Sequence, residues 1–444
     1  MKNFFNEKKG QFSLYFVGIG GISMSSLALY LKKSGFEVSG YDKTPSKITQ
    51  KLQEEGISIN DSKDLETCDL AVVSSAISKE DDQIKKLTKL NKTLITRARL
   101  LYEIASAFPF TIGIAGTHGK TTCVAMTAHV LKKCQKKFTA HIGGLDSEFG
   151  NMAFFGDEIF LSEVCEYKKN ISLFSPSVGV LLNVSDDHLE SYGSFEKLKE
   201  EFSEYLLRSK IRIVRYEEGF SNLENTVTFS YDNHKADYFL TGVTEGENFV
   251  QCVVNTPIGA LFELKINSFF PHDALNALAV VALCKSMGIE DTYIKEGIED
   301  FVGIKRRREV MKKIGGCTVI ADYAHHPDQI KQTICKIQSI YKKSLILFQP
   351  HTYSRTASLF NKFVKCLSIA KELVLFETYA AREKYDYKGS AKRLSENIKG
   401  CVFCSNVKDG GAIVCAMAQK YDCIAVIGAG DLYDYVEEYL QTLN

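Results

Sequence analysis

A glycine-rich turn that ends in a lysine and two threonines is the feature that most constrains this chain. It reads Gly-Ile-Ala-Gly-Thr-His-Gly-Lys-Thr-Thr over residues 113–122 and follows an apolar run. Glycines let successive backbone N–H groups face an anion, Lys120 can reach the outer phosphates of a nucleotide, and the Thr121 hydroxyl can ligate Mg²⁺. Ile114 stands where a regular Walker A sequence has a glycine. We predict an ATP-binding loop formed by Gly116, Thr117, His118, Gly119, Lys120, Thr121 and Thr122.

The composition limits the classes of protein to which the chain can belong. Its 444 residues are 45% apolar and 25% charged, which is typical of a globular protein with two or three cores. The 55 basic and 54 acidic residues leave no broad positive field, so we expect no nucleic-acid partner. Signal-peptide patterns and apolar stretches of membrane-spanning length are both absent from the sequence. We therefore expect no membrane insertion and a cytoplasmic location.

Short apolar runs alternate with helical segments, which predicts an α/β protein of three domains. In the first domain, residues 1–108, we expect a Rossmann-like fold with a helix that reaches about residue 33. Its predicted strands cover residues 14–17, 37–40, 70–73 and 93–96.

The second predicted domain, residues 109–312, contains the phosphate loop and the helix after it, which runs to about residue 133. Its other predicted elements are strands over 111–114, 158–162 and 178–184, and a helix over 276–287. The alternating residues of 210–267 predict an antiparallel β insertion in this domain. A third α/β domain, residues 313–444, is expected to run from a strand over 318–321 to one over 424–427.

A second glycine-rich turn follows the first predicted strand. Its sequence is a weak signal, because Ser23 stands where the dinucleotide fingerprint has a later glycine. An acidic residue about twenty residues onward, as at Asp42, is the usual partner of a ribose. A tight strand-to-helix turn would need the same glycines, and the loop does not identify the nucleotide. The candidate residues are Gly18, Gly20, Gly21 and Asp42.

Polar residues follow other predicted strands, at the edge where ligands bind in parallel sheets. Glu163 can hold the Mg²⁺ of a nucleotide, with Glu166 as a competitor. His188 is a candidate metal ligand or phosphate contact, although a lone histidine is more often simply hydrogen-bonded. In the third domain the candidates are Asp322, Tyr323, His325, His351 and Arg355, preceded by a basic run that includes Arg307.

Together these segments resemble the Mur ligases of peptidoglycan synthesis, which join an amino acid to a UDP-muramoyl precursor. The resemblance covers nearly the whole chain and is carried by residues 18–25, 116–121, 325–327 and 348–351. The double histidine at 325–326 is the most discriminating motif, because ligases that act later in that synthesis usually have a single histidine there.

The resemblance implies a UDP-sugar domain, a central P-loop ATPase domain and an amino-acid domain. It implies ATP-dependent ligation of L-alanine to the lactyl carboxylate of UDP-N-acetylmuramate through an acyl phosphate, with Mg²⁺, in a monomer or homodimer. One alternative is a recycling ligase that adds a tripeptide to the same UDP-sugar. Another is a paralogue that only binds the UDP-sugar. A NAD-dependent dehydrogenase, suggested by the Gly18 loop, would leave Lys120 unexplained.

The resemblance also implies roles for single residues. The catalytic set would be Lys120, Glu163, His188, Arg307 and Asp322. The metal ligands would be Thr121, Glu163 and His188. The residues near the adenosine would be His272 and Asn276. The UDP-sugar would be bound by Gly18, Gly20, Gly21, Asp42 and Ser74. The amino acid would be bound by Tyr323, His325, His351 and Arg355, with Arg355 paired to its carboxylate.

The sequence departs from the family pattern at several of these places. Asp273 stands where an asparagine is usual, which predicts weaker ATP binding through charge repulsion, and Phe270 replaces a nearby glycine. The acidic run usual in the family keeps its first glutamate here, Glu163, but the residues that follow it differ. Arg99 replaces an acid in the first domain. Arg308 replaces an aromatic residue. Because the principal functional groups survive, we expect an active ligase.

Overall fold

The computed structural model describes residues 12–443, except residues 75, 76, 79, 186–188, 247, 248, 269 and 382. It divides into two compact units, Met1–Val302 and Gly303–Asn444. The strands form sheets of five, ten and six strands separated by helices, which confirms the predicted α/β class. None of the helices in the described residues combines the length and apolar character needed to cross a membrane. The predicted domain bounds at 108/109 and 312/313 stay predictions.

The first sheet is parallel, with the strand order β3-β2-β1-β4-β5. Parallel strands require crossover segments, and helices supply them here. The strands are β1 Ser13–Val17, β2 Glu37–Tyr41, β3 Ser58–Ile59, β4 Leu70–Val73 and β5 Thr93–Thr96. The helices are α1 Ile22–Lys33, α2 Lys47–Glu54, α3 Ser62–Thr67, α4 Asp82–Lys89 and α5 Arg97–Ser106. The four strands predicted in this domain are confirmed.

The second sheet has ten strands in the order β15-β14-β13-β12-β11-β10-β6-β9-β7-β8. Its first strands along the chain are β6 Phe110–Ala115, β7 Phe138–Asp146, β8 Gly150–Phe154, β9 Ile159–Glu163 and β10 Val178–Leu181. The others are β11 Ile211–Arg215, β12 Thr226–Ser230, β13 Tyr238–Glu245, β14 Val250–Thr256 and β15 Gly259–Ile266. The helices are α6 Lys120–Lys133, α7 Leu189–Tyr192, α8 Phe195–Arg208, α9 His272–Ser286 and α10 Asp291–Glu299, with 3-10 turns at Tyr167–Leu173 and Tyr216–Glu218.

The predicted antiparallel insertion over residues 210–267 is wrong in part. Strands β11, β12 and β13 pair in parallel and continue the central sheet. Within the described residues of this segment, only the pairs β13–β14 and β14–β15 are antiparallel. The strand predicted over 178–184 ends at Leu181, and the irregular segment after it contacts the start of the phosphate loop, since the Leu182 N–H donates to the Ala115 oxygen.

The first and second sheets share a hydrophobic core within the first unit. Helix α1 packs against β7 and β8 of the central sheet. The Phe108 and Phe160 rings lie 5.1 Å apart between their centroids. The core of the first unit therefore extends from the first sheet to the second.

The second unit is built on a six-stranded sheet with the order β16-β17-β21-β18-β19-β20. Among the ladders that its described residues form, only the β16–β17 pair is antiparallel. The strands are β16 Glu309–Ile314, β17 Cys317–Asp322, β18 Ser344–Phe348, β19 Leu373–Phe376, β20 Val402–Cys404 and β21 Cys423–Ile427. The helices are α11 Pro327–Ile340, α12 Tyr353–Ser358, α13 Phe360–Leu367, α14 Ala391–Glu396, α15 Gly410–Met417 and α16 Leu432–Thr442, with 3-10 turns at Tyr387–Gly389 and Val407–Asp409.

We predict that Gly113→Ala destabilises the first unit. The added Cβ would lie 2.6 Å from the Tyr205 hydroxyl and 2.8 Å from Val164 Cγ2. Overpacking of a buried strand lowers the free energy of unfolding by about 1–3 kcal/mol. The denaturation midpoint should fall in this variant and stay unchanged in Gly316→Ala, where no atom lies within 4 Å of the new Cβ. Equal midpoints for wild type and Gly113→Ala would contradict the packing described.

Candidate active site

The phosphate loop connects β6 to α6, as the sequence predicts. Gly119 precedes the first residue of the helix and has the left-handed φ of +88°. Gly116 has φ +134°, and a Cβ there would lie 3.1 Å from both the backbone nitrogen and the backbone oxygen of Asn183. Larger residues are excluded at both positions, so the backbone N–H groups can approach an anion closely.

Asn183 clamps this loop from the end of the neighbouring strand β10. Its backbone oxygen accepts a hydrogen bond from the Thr117 N–H at 3.1 Å. Its side-chain oxygen accepts from the His118 N–H at 2.9 Å, and its side-chain nitrogen donates to the His118 oxygen at 3.0 Å. The Ser185 N–H donates to the Thr117 hydroxyl at 2.9 Å. The sequence analysis missed this role, although a polar residue directly after an apolar strand is a signal for it.

Lys120 lies in the loop as a charged, largely buried group. Its Nζ lies 3.1 Å and 3.0 Å from the two carboxylate oxygens of Glu166 and donates to the backbone oxygens of Gly116 and Thr117. Burial is the largest single effect and lowers the pKa of Lys120, but Glu166, Cys165 and Glu163 together raise it above its ordinary value. Glu166 thus serves as the counter-ion of the loop lysine.

Glu163 ends β9 beside the start of the loop, because it pairs in register with Ile114 of β6. Its Oε1 accepts a hydrogen bond from the Gly143 N–H at 2.8 Å. Burial raises the pKa of Cys123 and lowers that of Lys120, and the charge of Glu163 adds a smaller raising effect to both. Thr121 lies in the first turn of α6 and is buried.

The oxygens of Thr121 and Glu163 are of the type that Mg²⁺ prefers. No cluster of three or more His, Cys, Asp or Glu side chains able to hold a metal occurs in the described part of the chain. Two protein oxygens leave most positions around such an ion to phosphate oxygens and water, as is usual for Mg²⁺ bound with a nucleotide. The predicted ligand His188 lies outside the described residues.

The first turn of α9 contacts the loop. A Cβ on Gly119 would collide with the Asn276 side-chain oxygen, and the Cys123 thiol donates to the Asn276 backbone oxygen at 3.6 Å. The Asn276 amide donates to Asp273 at 3.3 Å, and the Ser268 hydroxyl donates to the other Asp273 oxygen at 2.5 Å. The structure therefore brings Asn276 to the phosphate loop and engages the unusual Asp273 carboxylate in hydrogen bonds. His272 is the first residue of α9.

The second glycine loop lies at the carboxyl ends of β1 and β2. The Gly18 N–H donates to the Tyr41 oxygen at 2.7 Å, and the Gly20 N–H donates to the Asp42 carboxylate at 2.9 Å. Ser74 lies beside Gly18, since a Cβ on that glycine would be 3.4 Å from Ser74 Cβ. Gly21 precedes α1 and provides no side-chain cap for its first N–H groups. All five residues predicted for this loop are brought together.

Asn60 is a further residue at this loop that the sequence analysis missed. Its side-chain oxygen accepts from the Asp42 N–H at 3.1 Å, which fixes the backbone of that residue. Its φ of +67° is unusual for a residue other than glycine.

The second unit gathers the residues predicted to bind the amino acid. The His325 and His351 rings lie 6.5 Å apart between centroids, and the Tyr323 ring lies 5.5 Å from that of His325. His325 Nδ1 lies 3.1 Å from the Tyr323 backbone oxygen, and the Arg355 guanidinium lies 3.3 Å from His351 Nδ1. The ring of Tyr379, a residue absent from the sequence analysis, stacks on His351 at 5.5 Å.

Burial and the positive charge of Arg355 lower the pKa of His325 to about 3 and that of His351 to about 4. Both rings are therefore neutral near pH 7. Arg307 lies over the Tyr323 ring at 5.6 Å. Burial raises the pKa of Asp322, against the opposing effects of Arg308, Thr333 and Arg307. The arrangement presents a cation beside neutral rings that can accept or donate hydrogen bonds.

Three family models match consecutive segments of the chain. The profile described as Mur ligase family, catalytic domain, matches residues 13–109. The Mur ligase middle domain matches residues 114–284, and the Mur ligase glutamate ligase domain matches residues 306–430. The chain belongs to the Mur ligase family.

Among its relatives, the chain is similar to the UDP-N-acetylmuramate–L-alanine ligase of Caldicellulosiruptor saccharolyticus, with 33% identity over 447 residues, 95% of this chain and 97% of that protein. The ligase of the same name from Clostridium beijerinckii is 33% identical and covers 99% of both chains. The crystal structure of UDP-N-acetylmuramate–alanine ligase from Thermotoga maritima has a TM-score of 0.82 and 25% identity, over 97% of this chain and 98% of that chain.

We predict that His325 and His351 stay neutral from pH 8 to pH 5. Because their folded pKa values of about 3 and about 4 lie below the ordinary 6.5, the unfolded chain binds more protons below that pH. Their contribution to stability should therefore fall as the pH drops from about 6.5 toward about 4. NMR titration of the imidazoles measures both values. Arg355→Ala should raise both pKa values, and Arg393→Ala, near Phe360, should not. Titration of His325 near 6.5 in the wild type would contradict the geometry.

Proposed function

We propose that this protein joins L-alanine to the lactyl carboxylate of UDP-N-acetylmuramate with the conversion of ATP to ADP and phosphate. One observation carries the proposal: similarity over nearly the whole chain to ligases named for this reaction coincides with a phosphate loop whose lysine contacts Glu166 and whose preceding strand pairs with Glu163. Because ATP is a substrate, we place the reaction in the cytoplasm. We further propose that the protein acts as a monomer or homodimer.

The chemistry follows from the poor reactivity of a carboxylate toward an amine. Transfer of the γ-phosphoryl group to the lactyl carboxylate makes an acyl phosphate, which is a better electrophile. The alanine nitrogen then forms a bond to the carbonyl carbon, the bond from that carbon to the phosphate oxygen breaks, and the amine loses its proton. Catalysis of this type is mostly positioning and charge neutralisation.

In the first unit, Lys120 would neutralise the β- and γ-phosphates, with the N–H groups of the phosphate loop around them. The ammonium would exchange part of its contact with Glu166 for phosphate oxygens. Thr121 and Glu163 would hold one Mg²⁺, and His188 a second. When bound, Mg²⁺ supplies positive charge to the transferring phosphoryl group. Asn276 and His272 would lie near the adenosine.

The other substrates would bind at the remaining clusters. The UDP-sugar would occupy the loop formed by Gly18, Gly20, Gly21, Asp42 and Ser74. Arg355 would pair with the alanine carboxylate, while the neutral rings of His325 and His351 and the Tyr323 side chain surround the amino acid. Arg307 and Asp322 would contact the nucleotide.

Phosphate release from ATP, with Mg²⁺ and UDP-N-acetylmuramate present, tests the function. We expect release that depends on free L-alanine. Release only with L-alanyl-γ-D-glutamyl-diaminopimelate would assign the protein to tripeptide recycling. An absence of release with either amine would support the binding-only alternative and contradict the proposed activity.

Lys120→Ala should lower turnover by about 100-fold or more, because it removes the charge aimed at the phosphates. Binding of UDP-N-acetylmuramate, measured by calorimetry, should be unchanged in this variant. Lys136→Ala is the matched control, since this exposed lysine follows the end of the same helix. Turnover near the wild-type level in Lys120→Ala would remove the loop lysine from the mechanism.

A further inference from the structure

A chain of hydrogen bonds within the first unit connects the first sheet to the strand that ends in Glu163. The Arg97 guanidinium donates to the Ser23 hydroxyl at 3.0 Å, which lies 2.8 Å from His141 Nε2. His141 Nδ1 lies 3.3 Å from the Ser162 hydroxyl, which in turn donates to the Glu163 backbone oxygen at 2.9 Å. These hydrogen bonds thus link α5, α1, β7 and β9.

The direction of each bond follows from the groups involved. A guanidinium only donates, so the Ser23 oxygen accepts from Arg97 and its own hydrogen points to His141 Nε2. Ser162 gives its hydrogen to Glu163, so it accepts from His141 Nδ1–H. A neutral ring with its hydrogen on Nδ1 satisfies both ends. Burial and the charge of Arg97 lower the pKa of His141 to about 3, which keeps the ring in this neutral form.

Arg97 carries a positive charge that no carboxylate balances in the described part of the chain. Its one hydrogen bond there, to Ser23, uses one of five N–H donors. The next arginine along α5 differs in this respect, because Arg99 forms an ion pair with Glu103. The Ser23 hydroxyl that Arg97 contacts lies 2.8 Å from His141 Nε2 on β7, so the guanidinium lies toward the central sheet.

The position of Ser23 places this charge next to the second glycine loop. Ser23 is the second residue of α1, which begins directly after Gly21. The N-terminus of a helix carries a partial positive charge and free N–H groups. A half-buried guanidinium beside it creates a second positive centre, and two such centres together favour an anion with several oxygens.

We propose that Arg97 is a substrate-binding residue that contacts the diphosphate of the UDP-sugar, and that Ser23 and His141 are positioning residues that hold it there. The inference rests on the proposed function for the identity of the substrate. The diphosphate is favoured over the lactyl carboxylate because the contact of Arg97 is to the first turn of the helix after the glycine loop. A diphosphate offers oxygens for both a guanidinium and the helix N–H groups.

Calorimetric binding of UDP, UDP-N-acetylglucosamine and UDP-N-acetylmuramate tests the proposal, because only the last carries a lactyl carboxylate. Arg97→Gln should weaken all three by about 10-fold or more, as expected for loss of hydrogen bonds from a charged group. Arg99→Gln, the matched control, should bind all three as the wild type does. Ser23→Ala and His141→Leu should weaken the three ligands less than Arg97→Gln does. ADP affinity should be unchanged in every variant, which a general loss of structure would not allow.

Wild-type affinity of Arg97→Gln for UDP would overturn the proposal, while the proposed function would stand. A loss confined to UDP-N-acetylmuramate would also overturn it, since Arg97 would then contact the carboxylate. Failure of the wild-type protein to bind any UDP-sugar would instead contradict the proposed function, and the inference with it.

Discussion

Parallel pairing of β6 with β9 and β10 is the constraint on which the phosphate loop depends. The register sets Ile114 against Glu163 on one side and Ala115 against Leu181 on the other. Both neighbouring strands therefore end where the loop begins, so the carboxylate and the Asn183 clamp reach it from opposite sides. The strands are almost entirely buried, and burial of their apolar residues fixes this register.

The cations of the candidate sites need anions as partners, and in the described residues the protein provides a carboxylate for only some of them. Lys120 has Glu166 as a counter-ion, which avoids leaving a buried ammonium unpaired. Arg97 contacts a serine and Arg355 a neutral histidine, and neither has a carboxylate partner in the described residues. Such cations are stabilised when a ligand brings negative charge, which is consistent with a reaction whose three substrates all carry phosphate or carboxylate groups.

Short motifs and apolar runs in the sequence predicted those loops and strands whose structure depends mainly on neighbouring residues. The loop around Lys120, the first-domain strands and the polar residues after β9, β17 and β18 all follow from short motifs and apolar runs. The direction of strand pairing over residues 210–267 could not be predicted, because alternation reports the buried face of a strand and not its partner. The contact of Ser23 with His141 joins residues 118 positions apart, and Asn60 supports Asp42 across two strands. Such contacts depend on the tertiary fold. The roles of the site residues stay predictions.

Replacement of alanine by hydroxylamine tests the central claim, an acyl phosphate formed at the Lys120 loop, most directly. Hydroxylamine reacts with an acyl phosphate without help from the amino-acid site and leaves a hydroxamate that mass spectrometry detects. The account predicts a hydroxamate of UDP-N-acetylmuramate, formed only with ATP and with release of one phosphate for each hydroxamate, and almost none with Lys120→Ala. Phosphate release by the wild-type protein without any hydroxamate would contradict it.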